Sequence, residues 1–144
     1  LAGQEPLYSL VNEYAEKFSL LVKQKVIDSD WVEGVLDFLK TNHKKQEYFL
    51  VTATPQLEIE YILKKLKIEN YFTEIIGSPT KKSNAVKNIL NKYGINPKKV
   101  FMIGDSKSDY ESAKTNHVDF FLLKTNLNHI LQKQIDCHMI ESFI

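Results

Sequence analysis

The stretch VFMIGDSKSDYESA, residues 100–113, decides how the rest of the chain is interpreted. Large apolar residues run up to Gly104 and stop there, and Asp105 follows directly. A second carboxylate, Asp109, comes one helical turn later. A buried strand that ends in glycine and an acid places that acid at the carboxyl end of a sheet, where α/β proteins bind their ligands. The stretch therefore predicts a strand, a turn and a helix, with Asp105 and Asp109 as candidate site residues.

On both sides of this stretch, apolar strands alternate with amphipathic helices. The predicted strands cover residues 47–54, 73–78, 98–105, 118–123 and 137–143. The predicted helices cover residues 7–25, 31–40, 55–66, 81–93, 108–116 and 127–134. Because the strands are nearly all apolar, we expect a parallel sheet that is buried on both faces. The predicted fold class is α/β, a Rossmann-like parallel sheet with helices on both faces.

The helical spacing also predicts which side chains point inward and where the helices end. In the helix over 55–66, the residues predicted to face the core are Leu57, Tyr61, Ile62 and Leu66. Gly94 is expected to end the helix over 81–93, as a glycine in the left-handed conformation often does. No repeat, low-complexity tract or linker interrupts the pattern, so no domain boundary is predicted after about residue 30.

Composition narrows the function classes. The chain has 144 residues and a net charge of +1, and all 19 basic residues are lysines, scattered along the sequence. This balance favours neither nucleic acid nor an anionic membrane surface as a partner, and no apolar run is long enough to span a bilayer. The single cysteine, Cys137, fits a reducing compartment, so a cytoplasmic location is expected. The oligomeric state leaves no signal in the sequence.

Three predicted strands end in polar residues that suit phosphate chemistry. Thr52 ends the first strand, Lys81 and Lys82 follow the second, and Asp105 and Asp109 follow the third. Because the carboxyl ends of parallel strands meet at one edge of a sheet, we expect these side chains to converge. A hydroxyl and backbone N–H groups can hold phosphate oxygens, a lysine offsets their charge, and carboxylates hold Mg²⁺. The pattern predicts a phosphoryl-transfer site.

These segments, in this order, resemble the motifs of the haloacid dehalogenase-like hydrolase superfamily, especially its phosphoglycolate phosphatase-like members. Residues 49–54, FLVTAT, resemble the second motif, and residues 77–90, GSPTKKSNAVKNIL, resemble the third. Residues 100–113 resemble the fourth, and residues 31–40, WVEGVLDFLK, resemble the helix that precedes the second motif. The resemblance runs from about Val32 to the end of the chain, and the order of the motifs makes it specific.

The resemblance implies a role for each candidate residue. Thr52 and the backbone at Ala53 would bind the phosphate group, and Lys82 would offset its charge. Asp105 would bind Mg²⁺, while Asp109 would orient the lysine or support the metal. The implied function is that of a phosphatase acting on a small phosphorylated metabolite by Mg²⁺-dependent chemistry, in which an aspartate attacks phosphorus and forms an aspartyl phosphate.

Structural explanations compete with these functional roles. Thr52 could simply lead into the turn before a proline, and Asp109 could be a first-turn acid that interacts favourably with the helix dipole. Asp105 is harder to explain structurally, because after an apolar run it would be close to buried and unpaired. Lys82 is favoured over Lys81 as the site lysine, since its helical offset from the apolar residues that follow matches that of the family lysine.

The chain departs from the family pattern at the first motif, DxDxT, which supplies the nucleophilic aspartate and the general acid. The only DxD is at residues 28–30, and Val32 stands where the threonine would be. It follows LLVKQKVI, residues 20–27, whose two lysines do not suit a buried strand. We interpret residues 28–30 as a helix-ending turn, with Asp30 as a candidate N-cap.

This departure sets the predicted organisation. Residues 1–30 would be the remnant of a helical cap and its connection, and residues 31–144 a core that lacks its first strand. The nucleophile would then lie outside residues 1–144. In the resembled fold the missing strand lies between those ending at Thr52 and Asp105. Another segment would supply it, or the two strands would pair directly, or the open edge would recruit a partner.

The main alternative to an enzyme is a catalytically inactive module of the same fold that binds a ligand or a partner. A phosphoacceptor signalling domain is less consistent with the order of the motifs. The sequence upstream of Leu1 discriminates the first two hypotheses, because a DxDxT motif there would favour the enzyme.

Overall fold

The computed structural model describes residues 5–144, with side chains from Tyr8 onward. The α-helices are α1 Glu5–Ile27, α2 Val35–Asn42, α3 Gln56–Leu66, α4 Lys82–Tyr93, α5 Lys107–Thr115 and α6 His129–Gln134. The strands are β1 Phe49–Pro55, β2 Glu74–Ser78, β3 Phe101–Gly104, β4 Asp119–Leu123 and β5 His138–Ile140. Short 3-10 turns at Glu69–Tyr71 and Pro97–Lys99 precede β2 and β3. The predicted alternation of helices and strands is confirmed.

Local sequence signals account for several helix ends. Gly94 follows α4 with a φ of 62°, in the left-handed conformation that glycine adopts without strain. Ser106 is the N-cap of α5. The second predicted helix begins at Val35 rather than at residue 31. Its N-cap is Gly34, which has a left-handed φ of 78°. Asp30 is therefore not the N-cap of this helix, and that expectation was wrong.

The strands form two parallel sheets. In one, β1 pairs with β2, with Phe49 opposite Glu74. In the other, β3 pairs with β4 and β4 with β5, and Gly104 lies opposite Leu122. The parallel pairing confirms the predicted α/β, Rossmann-like class. Among the described residues β1 and β3 do not pair, so of the three alternatives for the missing strand, direct pairing of these two strands is wrong.

An apolar cavity of about 560 Å³ lies where β1 and β3 face each other, and we call it the strand slot. Its walls include residues 49–51 of β1 and 101–103 of β3, with Val86, Ile89 and Leu90 of α4. Phe143, whose N–H donates to the carbonyl of Glu33, also lines it. The strand slot therefore separates the two sheets and is bordered by one edge of each.

Two apolar clusters hold the helices against the strands. One includes Val86, Leu90, Ala113 and the fully buried Leu122, and joins α4 and α5 to β4. The other holds α3 through residues that are buried, among them Ile59, Leu63 and Ile68. The inward face of α3 differs from the predicted one. Ile62 is buried as expected, but the side chains of Leu57 and Tyr61 are exposed, and that part of the prediction was wrong.

The first helix packs against α3 and leaves most of its apolar residues uncovered. The Ser19 hydroxyl donates to Glu58, and the Lys23 ammonium lies 5.4 Å from the centre of the Tyr61 ring. The large apolar residues of α1 that are exposed are Tyr8, Leu10, Val11, Tyr14, Phe18, Leu20, Leu21, Val22 and Val26. The division into residues 1–30 and 31–144 stays a prediction. No described helix combines the length and the apolar character needed to cross a membrane.

Candidate functional site

The centre of the candidate site is an ion pair between Lys82 and Asp109. The Lys82 Nζ atom lies 2.7 Å from the Asp109 Oδ1 atom, and the two side chains are only 17% and 7% exposed. Lys82 is the first residue of α4, which follows β2, and Asp109 lies in the first turn of α5, which follows β3. The pair therefore brings the carboxyl ends of the two sheets together, as the sequence predicted for these two residues.

The second carboxylate oxygen of Asp109 is held by Ser106. The Oδ2 atom accepts hydrogen bonds from the Ser106 hydroxyl at 2.6 Å and from the Ser106 N–H at 3.2 Å. In return, the Asp109 N–H donates to the Ser106 hydroxyl, which completes a capping box at the start of α5. The Asp109 carboxylate thus accepts three hydrogen bonds within the protein, one from Lys82 and two from Ser106.

Gly104 makes this arrangement possible. A Cβ atom at Gly104 would lie 2.4 Å from the Asp109 Cβ atom and 2.5 Å from its Cγ atom. Real carbon atoms do not approach so closely, so a larger residue would displace the first turn of α5. The glycine in the GD sequence is needed for close packing against Asp109.

We expect Gly104→Ala to destabilise the protein by about 3 kcal/mol, at the upper end for overpacking, because the Asp109 side chain has to move. The measurement is the free energy of unfolding from urea denaturation. Gly94→Ala is the matched control. It meets no atom within 4 Å and costs only left-handed backbone strain of about 1 kcal/mol. Equal losses for the two variants would contradict the close packing inferred at Gly104.

Asp105 is the free carboxylate of the site. Its side chain is exposed, so the expectation that it would be near-buried was wrong. Unlike the carboxylate of Asp109, that of Asp105 forms no hydrogen bond and no ion pair with any described residue. Its main-chain carbonyl accepts a hydrogen bond at 2.8 Å from the side chain of Asn128, a buried residue that the sequence reasoning missed. An asparagine before an apolar helix predicts an N-cap, but this side chain does not cap its helix.

The phosphate-binding candidates lie within β1, directly after the residues 49–51 that pair regularly with β2. The half-buried Thr52 hydroxyl accepts a hydrogen bond from the Thr54 N–H at 3.1 Å and lies 3.1 Å from the Thr54 hydroxyl. Ala53 is exposed beside it. The adjoining Gln56 side chain donates to the Ile75 carbonyl and accepts from the Gly77 N–H, and so ties the end of β1 to β2. The hydrogen bonds described for Thr52 are local, and its phosphate role stays a prediction.

Residues 28–30 behave as the sequence interpretation expected. The Asp28 N–H donates to the Gln24 carbonyl at 2.9 Å, and both carboxylate oxygens of Asp28 accept from the Gln24 side chain. The segment follows the last residue of α1 and is exposed rather than part of a strand. It is therefore a helix-ending turn.

The donor set fits part of a magnesium site. Magnesium binds carboxylate oxygens and commonly keeps several water ligands, so the accessible Asp105 carboxylate suits it. The described residues contain no cluster of three or more His, Cys, Asp or Glu side chains that could enclose a metal. At the candidate site, the free carboxylate among the described residues is that of Asp105, and further ligands would have to come from water, substrate or another segment.

The parallel α/β fold brings Lys82 and Asp109 together at the carboxyl ends of strands, where proteins of this class bind their ligands. A family model of haloacid dehalogenase-like hydrolases matches residues 3–123. The chain belongs to this family.

One curated relative and two solved structures illustrate what this chain is similar to. A phosphoglycolate phosphatase from Pseudomonas putida is 30% identical over 133 residues, which cover 88% of this chain and 46% of that protein. A hydrolase from Streptococcus pneumoniae has a similar structure with a TM-score of 0.62 at 25% identity, over 85% of this chain and 67% of that one. A HAD-superfamily hydrolase of subfamily IA from Geobacter sulfurreducens superposes with a TM-score of 0.64 at 21% identity, over 77% and 51% of the two chains. The chain thus spans about half the length of the curated relative.

Proposed function

We propose that residues 1–144 form the greater part of a phosphatase core that acts on a small phosphorylated metabolite with Mg²⁺. The observation that carries the proposal is the buried Lys82–Asp109 pair, with the free carboxylate of Asp105 four residues before Asp109. A buried ion pair is weak evidence for stability alone, because desolvation offsets most of the attraction. An ammonium held in place at the strand ends, however, suits the charge of a phosphoryl group.

Each residue has a task in this proposal. The Lys82 ammonium offsets negative charge on the transferring group, and Asp109 holds that ammonium in position. The Thr52 hydroxyl and the Ala53 N–H donate hydrogen bonds to phosphate oxygens, for which the Thr52 hydroxyl turns away from Thr54. Asp105 holds Mg²⁺, which when bound would neutralise charge on the phosphate. Phosphoglycolate is the first substrate to test, since the curated relative acts as a phosphoglycolate phosphatase.

The nucleophile is proposed to come from outside residues 1–144, on a strand that fills the strand slot. An extended apolar segment parallel to β1 and β3 would pair with both open edges and cover the apolar walls. Its carboxyl end would emerge between β1, which carries Thr52, and the end of β3, which Asp105 follows. The curated relative, of which this chain spans 46%, is long enough to contain such a segment.

The experiment compares two polypeptides. Residues 1–144 alone are expected to hydrolyse neither an aryl phosphate nor phosphoglycolate above background. The same residues joined to the segment encoded upstream of Leu1 are expected to turn over phosphate esters if that segment carries DxDxT. The measurement is phosphate release with and without Mg²⁺, normalised to folded protein.

Two outcomes would overturn the proposal. Hydrolysis by residues 1–144 alone, dependent on Mg²⁺ and Asp105, would make Asp28 a candidate nucleophile, which Asp28→Asn would check. An upstream segment without the motif, together with an inactive longer polypeptide, would favour the inactive ligand-binding or partner-binding module instead.

A further inference from the structure

Asn128 is a buried polar residue, 9% exposed, whose side chain uses its full hydrogen-bonding capacity. Its Nδ2 group donates to the carbonyl of Asp105 at 2.8 Å and to that of Leu123 at 2.9 Å. Its Oδ1 atom accepts from the Thr125 N–H at 3.0 Å and from the Gln132 side chain at 2.7 Å. A neutral amide offers two donor hydrogens and two acceptor lone pairs, and all four are satisfied here.

The two carbonyls lie one residue beyond the end of the β3–β4 ladder. The last pair of that ladder is Gly104 and Leu122, so Asp105 and Leu123 are the next residues along the two strands. Beyond the ladder, these two carbonyls accept hydrogen bonds from a side chain. Asn128 supplies both donors from the start of α6, and thereby joins three elements at the site.

The peptide group between Asp105 and Ser106 is held at both of its polar atoms. Its carbonyl, from Asp105, accepts from Asn128, and its N–H, from Ser106, donates to the Asp109 carboxylate. The plane of this peptide is therefore fixed relative to α5 and α6. The Asp105 carboxylate itself has no hydrogen bond to any described residue, and its direction depends on the backbone that carries it.

We propose that Asn128 is a positioning residue, which fixes the main chain at Asp105 and so directs the free carboxylate toward a bound divalent cation. The inference rests on the proposed function, because it concerns the residue assigned to Mg²⁺. Asp109 has the same effect from the N–H side, but it also holds Lys82. Asn128 touches neither Lys82 nor Thr52 through any described hydrogen bond, so its effect on the metal can be tested separately.

The test is Mn²⁺ binding to residues 1–144, measured by water-proton relaxation in the absence of substrate. Asn128→Ala is expected to raise the dissociation constant for Mn²⁺ on the order of 10-fold, as the loss of a residue that holds a metal ligand in place usually does. Gln132→Ala is the matched control. It removes a hydrogen bond to the same side chain but leaves both bonds from Asn128 to the carbonyls, so its dissociation constant should be that of the wild type. Asp105→Asn should weaken binding most.

A second measurement needs no variant that could fail to fold. In the wild-type chain, Mg²⁺ is titrated while the Asp105 carboxyl carbon and the Asn128 side-chain N–H resonances are followed by NMR. We expect both sets of resonances to shift with one dissociation constant. A shift at Asp105 with none at Asn128 would overturn the positioning role.

The outcomes separate the two proposals. Binding that depends on Asp105 but is unchanged in a folded Asn128→Ala variant would overturn the role of Asn128 and leave the proposed function standing. Wild-type binding that does not depend on Asp105 would overturn the metal assignment, and this inference with it.

Discussion

Asp105→Asn is expected to abolish phosphate release by a form of the protein that has turnover, and to weaken Mg²⁺ binding. The substitution removes an anionic oxygen, the kind of ligand that a hard cation prefers, and keeps the shape of the side chain. Because Asp105 is exposed and its carboxylate has no described hydrogen bond, the free energy of unfolding should change by no more than about 0.5 kcal/mol. Turnover and urea denaturation measured on one preparation distinguish a lost site from a lost fold.

Asp119→Asn is the matched control for this experiment. Asp119 is also an exposed aspartate, but it lies at the opposite end of the same sheet, where β4 begins. It should leave turnover and metal affinity unchanged. Near wild-type turnover in Asp105→Asn would show that the fourth motif is assigned wrongly.

Lys82→Ala is expected to lower both kcat and stability strongly. The lysine balances a carboxylate whose side chain is only 7% exposed, and removing one partner of a buried pair typically costs about 3–5 kcal/mol. Loss of the ammonium also removes the charge that would offset the phosphoryl group. The measurements are kcat per folded molecule and the free energy of unfolding.

Lys81→Ala should be nearly silent in both measurements. Lys81 occupies the N-cap of α4, is exposed and forms no ion pair with a described residue. The double variant Lys82→Ala with Asp109→Asn separates the two effects, because neutralising the stranded carboxylate should restore part of the stability but none of the turnover. Equal losses of kcat for the two single lysine variants would contradict a dedicated role for Lys82.

Much of the architecture follows from sequence pattern alone. Apolar runs such as residues 49–54 and 100–104 predict strands of a parallel sheet, because such strands are covered on both faces and carry few polar residues. The helical spacing of Ala85, Val86, Ile89 and Leu90 predicts the buried face of α4. The choice of Lys82 over Lys81 follows from the same geometry, since neighbouring helical residues point about 100° apart. Each of these signals depends on residues close together in the chain.

Other features depend on contacts between distant segments, and the sequence pattern predicted them wrongly or not at all. Leu57 and Tyr61 have apolar side chains at helical spacing, yet α3 is rotated so that Ile59 and Leu63 meet the core instead. Asp105 is exposed although an apolar run precedes it, because its burial depends on which distant segments pack around the end of β3.

Burial and long-range hydrogen bonding are therefore the properties that only the tertiary structure decided. Asn128 looks like a helix cap in sequence, but it bridges the ends of β3 and β4 because those carbonyls happen to lie within reach of its amide. The open strand slot is likewise a property of pairing, since β1 and β3 each carry a strand pattern that does not say which neighbour they pair with. Local periodicity determines which face of an element is apolar, whereas the partner that covers this face depends on the packing of the whole chain.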